Sequence, residues 1–218
     1  MRYSMRTVVL AAAACLAVTP VALPASAAPA ATSPANIIRN AGAEHATPLT
    51  DGPKVPVKYW HVRKRYYFTA VGYGSPAFPG KHSPGPTNRG KNFFAGGQTG
   101  TNSIGTQTDS LAKYATLIRS GNARYHLGGW FGGFSTQNDH ANLVITWKAS
   151  SGKSLGSVKI GNVLASQRHD KTGLLHRTAT GTVPKWASSV HVTLHMVRTD
   201  GAYNDGYADN LRLYIAKT

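Results

Sequence analysis

Cysteine occurs once in the 218 residues, at Cys15, and glutamate occurs once, at Glu44. Acidic side chains number only 8 against 24 lysines and arginines. No apolar run approaches the ~20 residues that a membrane-spanning helix requires. A single cysteine excludes an intrachain disulfide. Scarce carboxylates leave a strongly basic chain. The short apolar runs argue against an integral membrane protein.

The clearest apolar run, Thr7 to Val21, sits behind Arg2 and Arg6 and is interrupted by Pro20. Ala25-Ser26-Ala27 then offers the small-x-small pattern that signal peptidase accepts. Residues 1–27 therefore read as a secretory signal peptide, with a disordered lead-in expected over 28–35. Cys15 is preceded by Ala12-Ala13-Ala14, without the leucine of a lipoprotein signal, and it leaves with the signal peptide. The remainder, about 190 residues, is long enough to bury a core without disulfides. Loss of Arg2 and Arg6 leaves 22 basic against 8 acidic residues, a net charge of +14. This imbalance favours polyanionic partners: acidic cell-wall polymer, acidic polysaccharide or nucleic acid. It equally serves solubility and unspecific adhesion. The expected location is secreted, extracellular or cell-wall associated.

Strand periodicity dominates the rest. Val190, Val192, Leu194 and Met196 alternate with His191, Thr193 and His195. Leu211, Leu213 and Ile215 alternate with Arg212 and Tyr214. Leu143, Ile145 and Trp147 enclose Val144 and Thr146, which predicts a strand covered on both faces. Tyr125, Leu127 and Gly129 alternate into Trp130-Phe131-Gly132-Gly133-Phe134. Ser151-Gly152-Lys153 predicts a hairpin turn. Leu111–Arg119 is the one candidate helix, capped by Asp109 or Ser110 and stopped by Gly121. The Gly- and Pro-rich stretch Gly72 to Gly100 predicts a long loop region. Together these features predict a single all-β domain over 36–218, an antiparallel β-sandwich with at most one short helix.

The two ends of that domain carry a resemblance. Asn36-Ile37-Ile38-Arg39-Asn40-Ala41-Gly42-Ala43-Glu44, followed by Trp60, and Asp205-Gly206-Tyr207-Ala208-Asp209-Asn210-Leu211-Arg212-Leu213 resemble the frame of bacterial secreted jelly-roll domains. These have the galactose-binding-like fold and include several carbohydrate-binding modules. Asn40-Ala41-Gly42 departs from the Asn-Gly form of that frame. The resemblance implies a jelly roll in which first and last strands are neighbours. It also implies a structural Ca²⁺ held by Glu44 and Asp209 with backbone carbonyls, which suits an ion that takes six to eight oxygen ligands. Turn formation or pairing with a nearby cation explains these acids as well.

Catalytic patterns are weak. Gly152-Lys153-Ser154-Leu155-Gly156 matches G-x-S-x-G, but a strand follows it where a nucleophile elbow needs a helix. His191 and His195 lie ~13 Å apart along a strand, too far to share a metal ion. Arg168-His169-Asp170 is the best local acid–base cluster, and a loop salt bridge explains it too. No spacing selects the carboxylate pair of a glycosidase.

A binding reading has more material. Sugar sites combine flat aromatic faces with planar polar side chains. Trp130, Phe134 and Tyr203 supply candidate faces, and Arg168, Asp170, Asn204 and Asp205 supply candidate hydrogen bonds. The expectation is a secreted, non-catalytic glycan-binding module for cell-wall or acidic polysaccharide. Two alternatives stand beside it. One is an electrostatic adhesion or nucleic-acid-binding protein, prompted by the basic-aromatic run Tyr59 to Phe68. The other is a polysaccharide hydrolase or lyase on the same fold.

Overall fold

The computed structural model describes residues 34–47, 57–62, 67–98 and 100–218. The signal peptide read at 1–27, most of the lead-in and the basic residues 63–65 lie outside them. The compact unit is Pro34–Thr218.

Two five-stranded sheets face each other. The first runs β1 (His61–Val62), β4 (Asn102–Ser110), β9 (Ser189–Val197), β6 (His140–Lys148), β7 (Ser154–Gly161). The second runs β2 (Thr69–Gly72), β3 (Asn92–Gly97), β10 (Asn204–Lys217), β5 (Ala123–Gly133), β8 (Gly173–Thr182). Every pairing is antiparallel. The protein is an all-β jelly-roll sandwich. Among the described residues no helix is long and apolar enough to cross a membrane.

Side-chain alternation builds the core, because successive residues of a strand face opposite sides. Val190, Val192, Leu194 and Met196 of β9 are fully buried. They meet Leu143, Ile145 and Trp147 of β6, Leu127 and Phe131 of β5, and Leu211, Leu213 and Ile215 of β10 in one cluster. Burying each such side chain contributes about 1.5–3 kcal/mol. The second face of β6 is only partly covered, since Val144 and Thr146 are half-buried.

The expected loop region Gly72 to Gly100 instead contains β3, buried along its whole length. Phe94 faces the main core and packs edge-on against Trp60 and Phe68 at 5.6 Å each. Phe93 faces the other way, into a second cluster with Val71, Ala95, Leu174 and Tyr207. A strand covered on both faces shows no alternation, and its glycines mimic a loop. On β4 the inward positions are Ser103, Gly105 and Gln107. A Cβ on Gly105 would stand 1.9 Å from the Phe68 ring, so the aromatic corner demands glycine there. Gln107 instead grips the amino-terminal segment: its Oε1 accepts the Arg39 N–H at 2.8 Å and its Nε2 donates to Arg39 O.

That segment closes the sandwich beside β10. Asn36 donates through Nδ2 to Leu211 O at 2.8 Å, and its Oδ1 accepts the N–H groups of Ile38 and Leu213. Ile37 N–H donates to Leu213 O and Leu211 N–H to Ala41 O. The register of β10 against β5 shifts between Asp209 and Arg212, where Asn210 takes a positive φ of 45°. The candidate helix is a 3₁₀ turn, Ala112–Tyr114, that continues into α1 (Ala115–Ser120). Ser110 Oγ accepts the Ala112 N–H, and Gly121 ends the helix at φ 79°.

Candidate functional site

The outer face of the second sheet carries a groove of about 620 Å³. Its floor is a consequence of strand parity. On β5, Tyr125, Leu127 and Phe131 point into the core, so His126, Gly128 and Trp130 point outward. On β10, Leu211, Leu213 and Ile215 point inward and leave Arg212 and Tyr214 outside. Register then sets His126 opposite Tyr214, Trp130 opposite His176 and Gly128 opposite Thr178.

Two aromatic platforms result. The His126 and Tyr214 rings stack with centroids 4.5 Å apart and an interplanar angle of 5°. The Arg212 guanidinium lies 4.6 Å from the Tyr214 centroid. Trp130 and His176 form the second platform at 5.2 Å. His126 and Trp130 are four residues apart on one strand, ~13 Å. Gly128 lies between them and leaves the floor open, with a Cβ there meeting nothing nearer than 3.5 Å.

The walls come from the amino-terminal segment and the 80s loop. Asn210 Nδ2 donates to Asn88 O at 3.2 Å and to Asn88 Oδ1 at 3.1 Å, which fixes both amides at the rim. The described lining contains no carboxylate. The groove thus presents flat rings, fixed amides, hydroxyls and a guanidinium.

Of the residues singled out from sequence, Trp130 lines this groove. Phe134 and Tyr203 pack, half-buried, against the second apolar cluster, where Tyr203 meets Phe78 edge-on at 5.6 Å. Arg168 is 2% exposed and staples loops: it donates to the carbonyls of Ser135, Gln137 and Lys171. Burial lowers its pKa from the usual value. The expected salt bridge with Asp170 is not formed; Asp170 is exposed. Asn204 is fully buried and donates to Met196 O and Ser103 Oγ. Asp205 accepts the Tyr207 hydroxyl, and burial pushes its carboxyl up to about 6. Asp139, fully buried beside them, accepts N–H groups from Thr199, Asp200 and Asp205. Arg168, Asn204 and Asp205 thus direct hydrogen bonds into the fold, and none of them lines the groove.

The reading from sequence missed His126, His176, Asn210, Arg212 and Tyr214. Arg212, Tyr214 and His126 were visible as the outward members of two alternating strands. Only register makes them neighbours.

Glu44 and Asp209 both approach Gly42, next to the groove. A Cβ on Gly42 would stand 3.1 Å from Asp209 Oδ1 and 3.8 Å from Glu44 Cγ. Glu44 Oε1 accepts the N–H groups of Asn92 at 2.9 Å and Lys91 at 3.0 Å. Asp209 is fully buried; its Oδ2 accepts the Tyr73 hydroxyl at 2.7 Å and its Oδ1 the Asn210 N–H at 2.6 Å. Burial, opposed by these bonds and by Arg89 and reinforced by the Glu44 charge, pushes Asp209 up to about 7. Burial also raises the Tyr73 phenol far above its usual value. The Asn92 Oδ1 is buried and has no hydrogen-bond partner. Carboxylate and amide oxygens of this kind are the donors that the hard cation Ca²⁺ takes. Among the described residues no group of three or more His, Cys, Asp or Glu side chains gathers as a metal cluster.

No protein-family model matches the chain, and no curated protein matches it in sequence. Solved structures of similar fold include the enzymatically active domain of tailspike protein 4 from bacteriophage CBA120. It is 13% identical with a TM-score of 0.49 over 83% of this chain and 21% of that one. A family 16 carbohydrate-binding module is 19% identical with a TM-score of 0.48, over 82% of this chain and 99% of that one. The first xylan-binding family 22 module of Paenibacillus barcinonensis Xyn10C is 11% identical with a TM-score of 0.45, over 87% and 99%. This chain thus spans about a fifth of the tailspike chain and nearly all of each module.

Proposed function

We propose that the protein is a secreted, non-catalytic glycan-binding module that seats a sugar chain in the groove between His126–Tyr214 and Trp130–His176. The observation that carries this reading is the pair of aromatic platforms separated by the bare floor at Gly128. Pyranose C–H faces stack on aromatic rings, and two platforms ~13 Å apart suit a short run of sugar rings rather than one. Asn88, Asn210, Thr178 and Arg212 supply donors and acceptors for hydroxyls, the usual division of labour in a ligand cleft. The absence of carboxylates from the described lining supports binding without hydrolysis.

Glu44 and Asp209, with the Asn92 amide oxygen, would hold a structural Ca²⁺ beside the groove. Such an ion would supply positive charge that favours the ionised form of the buried Asp209. Glu44 and the turn before it would thereby be tied to β10, and the wall at Ala41 and Asn210 would keep its shape.

Export would place the module at the cell surface or wall, where its positive charge concentrates it on acidic polymers. Isothermal titration against soluble wall and plant polysaccharides, in low and high salt, tests the reading. Saturable binding that survives added salt supports it. Binding that collapses with salt and extends to single-stranded DNA would instead indicate an electrostatic adhesion protein.

A further inference from the structure

Trp186 is 71% exposed, while Trp60 and Trp147 are buried and Trp130 is half-buried. It stands in the crossover between β8 and β9, at one end of the sandwich, and shares no lining residue with the groove on the second sheet. An exposed indole on a loose loop would need no comment, but this loop is clamped on both sides. Val183 N–H donates to Ala123 O, Ala187 N–H to Pro184 O and Ser188 N–H to Lys148 O, all at 2.8–2.9 Å. Val183 and Ala187 are buried on either side of it. The backbone is therefore fixed and the indole is held out in water.

A second hollow of about 360 Å³ opens beside it, lined on the other side by α1. Its charged members are Arg119, from the last turn of α1, and Lys185. No acidic residue lines it, and the one ion pair recorded among the described residues, Arg39–Asp109, lies outside it. Ser150 and Ser188 add hydroxyls at the rim, and Ile118 gives an apolar floor.

We infer that Trp186, Lys185 and Arg119 form a second binding site that takes a uronic acid unit of an acidic polysaccharide. The indole supplies a face for the pyranose C–H groups. The two cations supply charge-assisted hydrogen bonds to the ring carboxylate, for which a guanidinium is well shaped. The hollow is small beside the main groove, so it holds one unit or a chain end. Two sites on one rigid domain raise the effective concentration of a long polymer at each, so binding to polymer exceeds binding to either site alone.

The test titrates the protein with an oligogalacturonate and with its methyl ester, following the indole N–H resonances by NMR and the affinity by calorimetry. The expected result is a shift of the Trp186 resonance by the acid form and a weaker response to the ester. Trp186→Ala should lose about tenfold or more in affinity, while Trp186→Phe keeps part of it. The double variant R119A/K185A should flatten the salt dependence. Because Trp186 is exposed, these variants keep the fold, and unchanged melting temperatures verify this. Equal binding by wild type and Trp186→Ala would overturn the inference, as would absence of oligogalacturonate binding with response only to anionic vesicles or single-stranded DNA. The separate variant Trp130→Ala tests the main groove, so failure of one site leaves the other distinguishable.

Discussion

His126 and Tyr214 lie face to face across β5 and β10, centroids 4.5 Å apart and nearly parallel. One position along each strand, Leu127 and Leu213 pair on the opposite face, inside the core. The same register that packs the sandwich therefore builds the groove platform outside it. Tyr214→Ala leaves the inner pair untouched and removes the ring. It is expected to weaken glycan binding by about tenfold or more while changing stability by no more than ~1 kcal/mol. Calorimetric titration beside a urea melt checks both parts.

Arg168 acts at the other end of the molecule and by a different route. Arg168→Met keeps the stem but leaves the carbonyls of Ser135, Gln137 and Lys171 without their donor. The expected loss is about 3 kcal/mol of stability, with glycan affinity unchanged at temperatures where the variant is folded. An affinity loss in a fully folded variant would show that the 135–137 and 168–171 loops reach the ligand after all.

Stability without calcium is expected to fall as pH rises. Asp209 is pushed up to about 7 from 3.8, first by burial, so the folded state keeps a proton that the unfolded chain releases. Its stabilising contribution is complete below 3.8 and is lost as pH climbs through about 7. Asp205, pushed up to about 6 by burial, acts with the same sign over a narrower window. Melting temperatures between about pH 4 and 8 in chelator should therefore decline, and Asp209→Asn should flatten the decline. Calcium should raise the melting temperature most at the upper end, where Asp209 is ionised. No response to calcium in wild type would remove the ion from the account of Glu44 and Asp209.

Much of the sandwich was legible because its central strands alternate cleanly. β9 buries every second side chain, β10 does so from Asn210 onward and β5 from Ala123 to Leu127, and the hairpin at Gly152 and the helix stop at Gly121 follow from their turn chemistry. β3 was not legible, since Phe93 and Phe94 are both buried and the flanking glycines read as loop. β4 was hidden because its inward face is Ser103, Gly105 and Gln107, whose reasons lie in contacts with Gly96, Phe68 and Arg39 on other segments. The site was harder still. Arg168, Asn204 and Asp205 looked available because polar residues in Gly-rich loops are usually exposed, yet they bond inward. The residues of the groove floor lie on three strands, and only pairing register makes one surface of them.

Gly128 gives the most direct test of the central claim. A Cβ there meets only ordinary contacts, at 3.5 Å from His176 Nε2 and 3.7 Å from Thr178 Cγ2, and the position sits within a strand. Gly128→Val should fill the floor between the two platforms, and its melting temperature checks that the strand accepts the branched side chain. A glycan array probed with both proteins, with and without calcium, is the decisive measurement. The account predicts glycan signal from wild type and its loss from Gly128→Val at an unchanged melting temperature. No signal from wild type, or equal signal from both proteins, would contradict it.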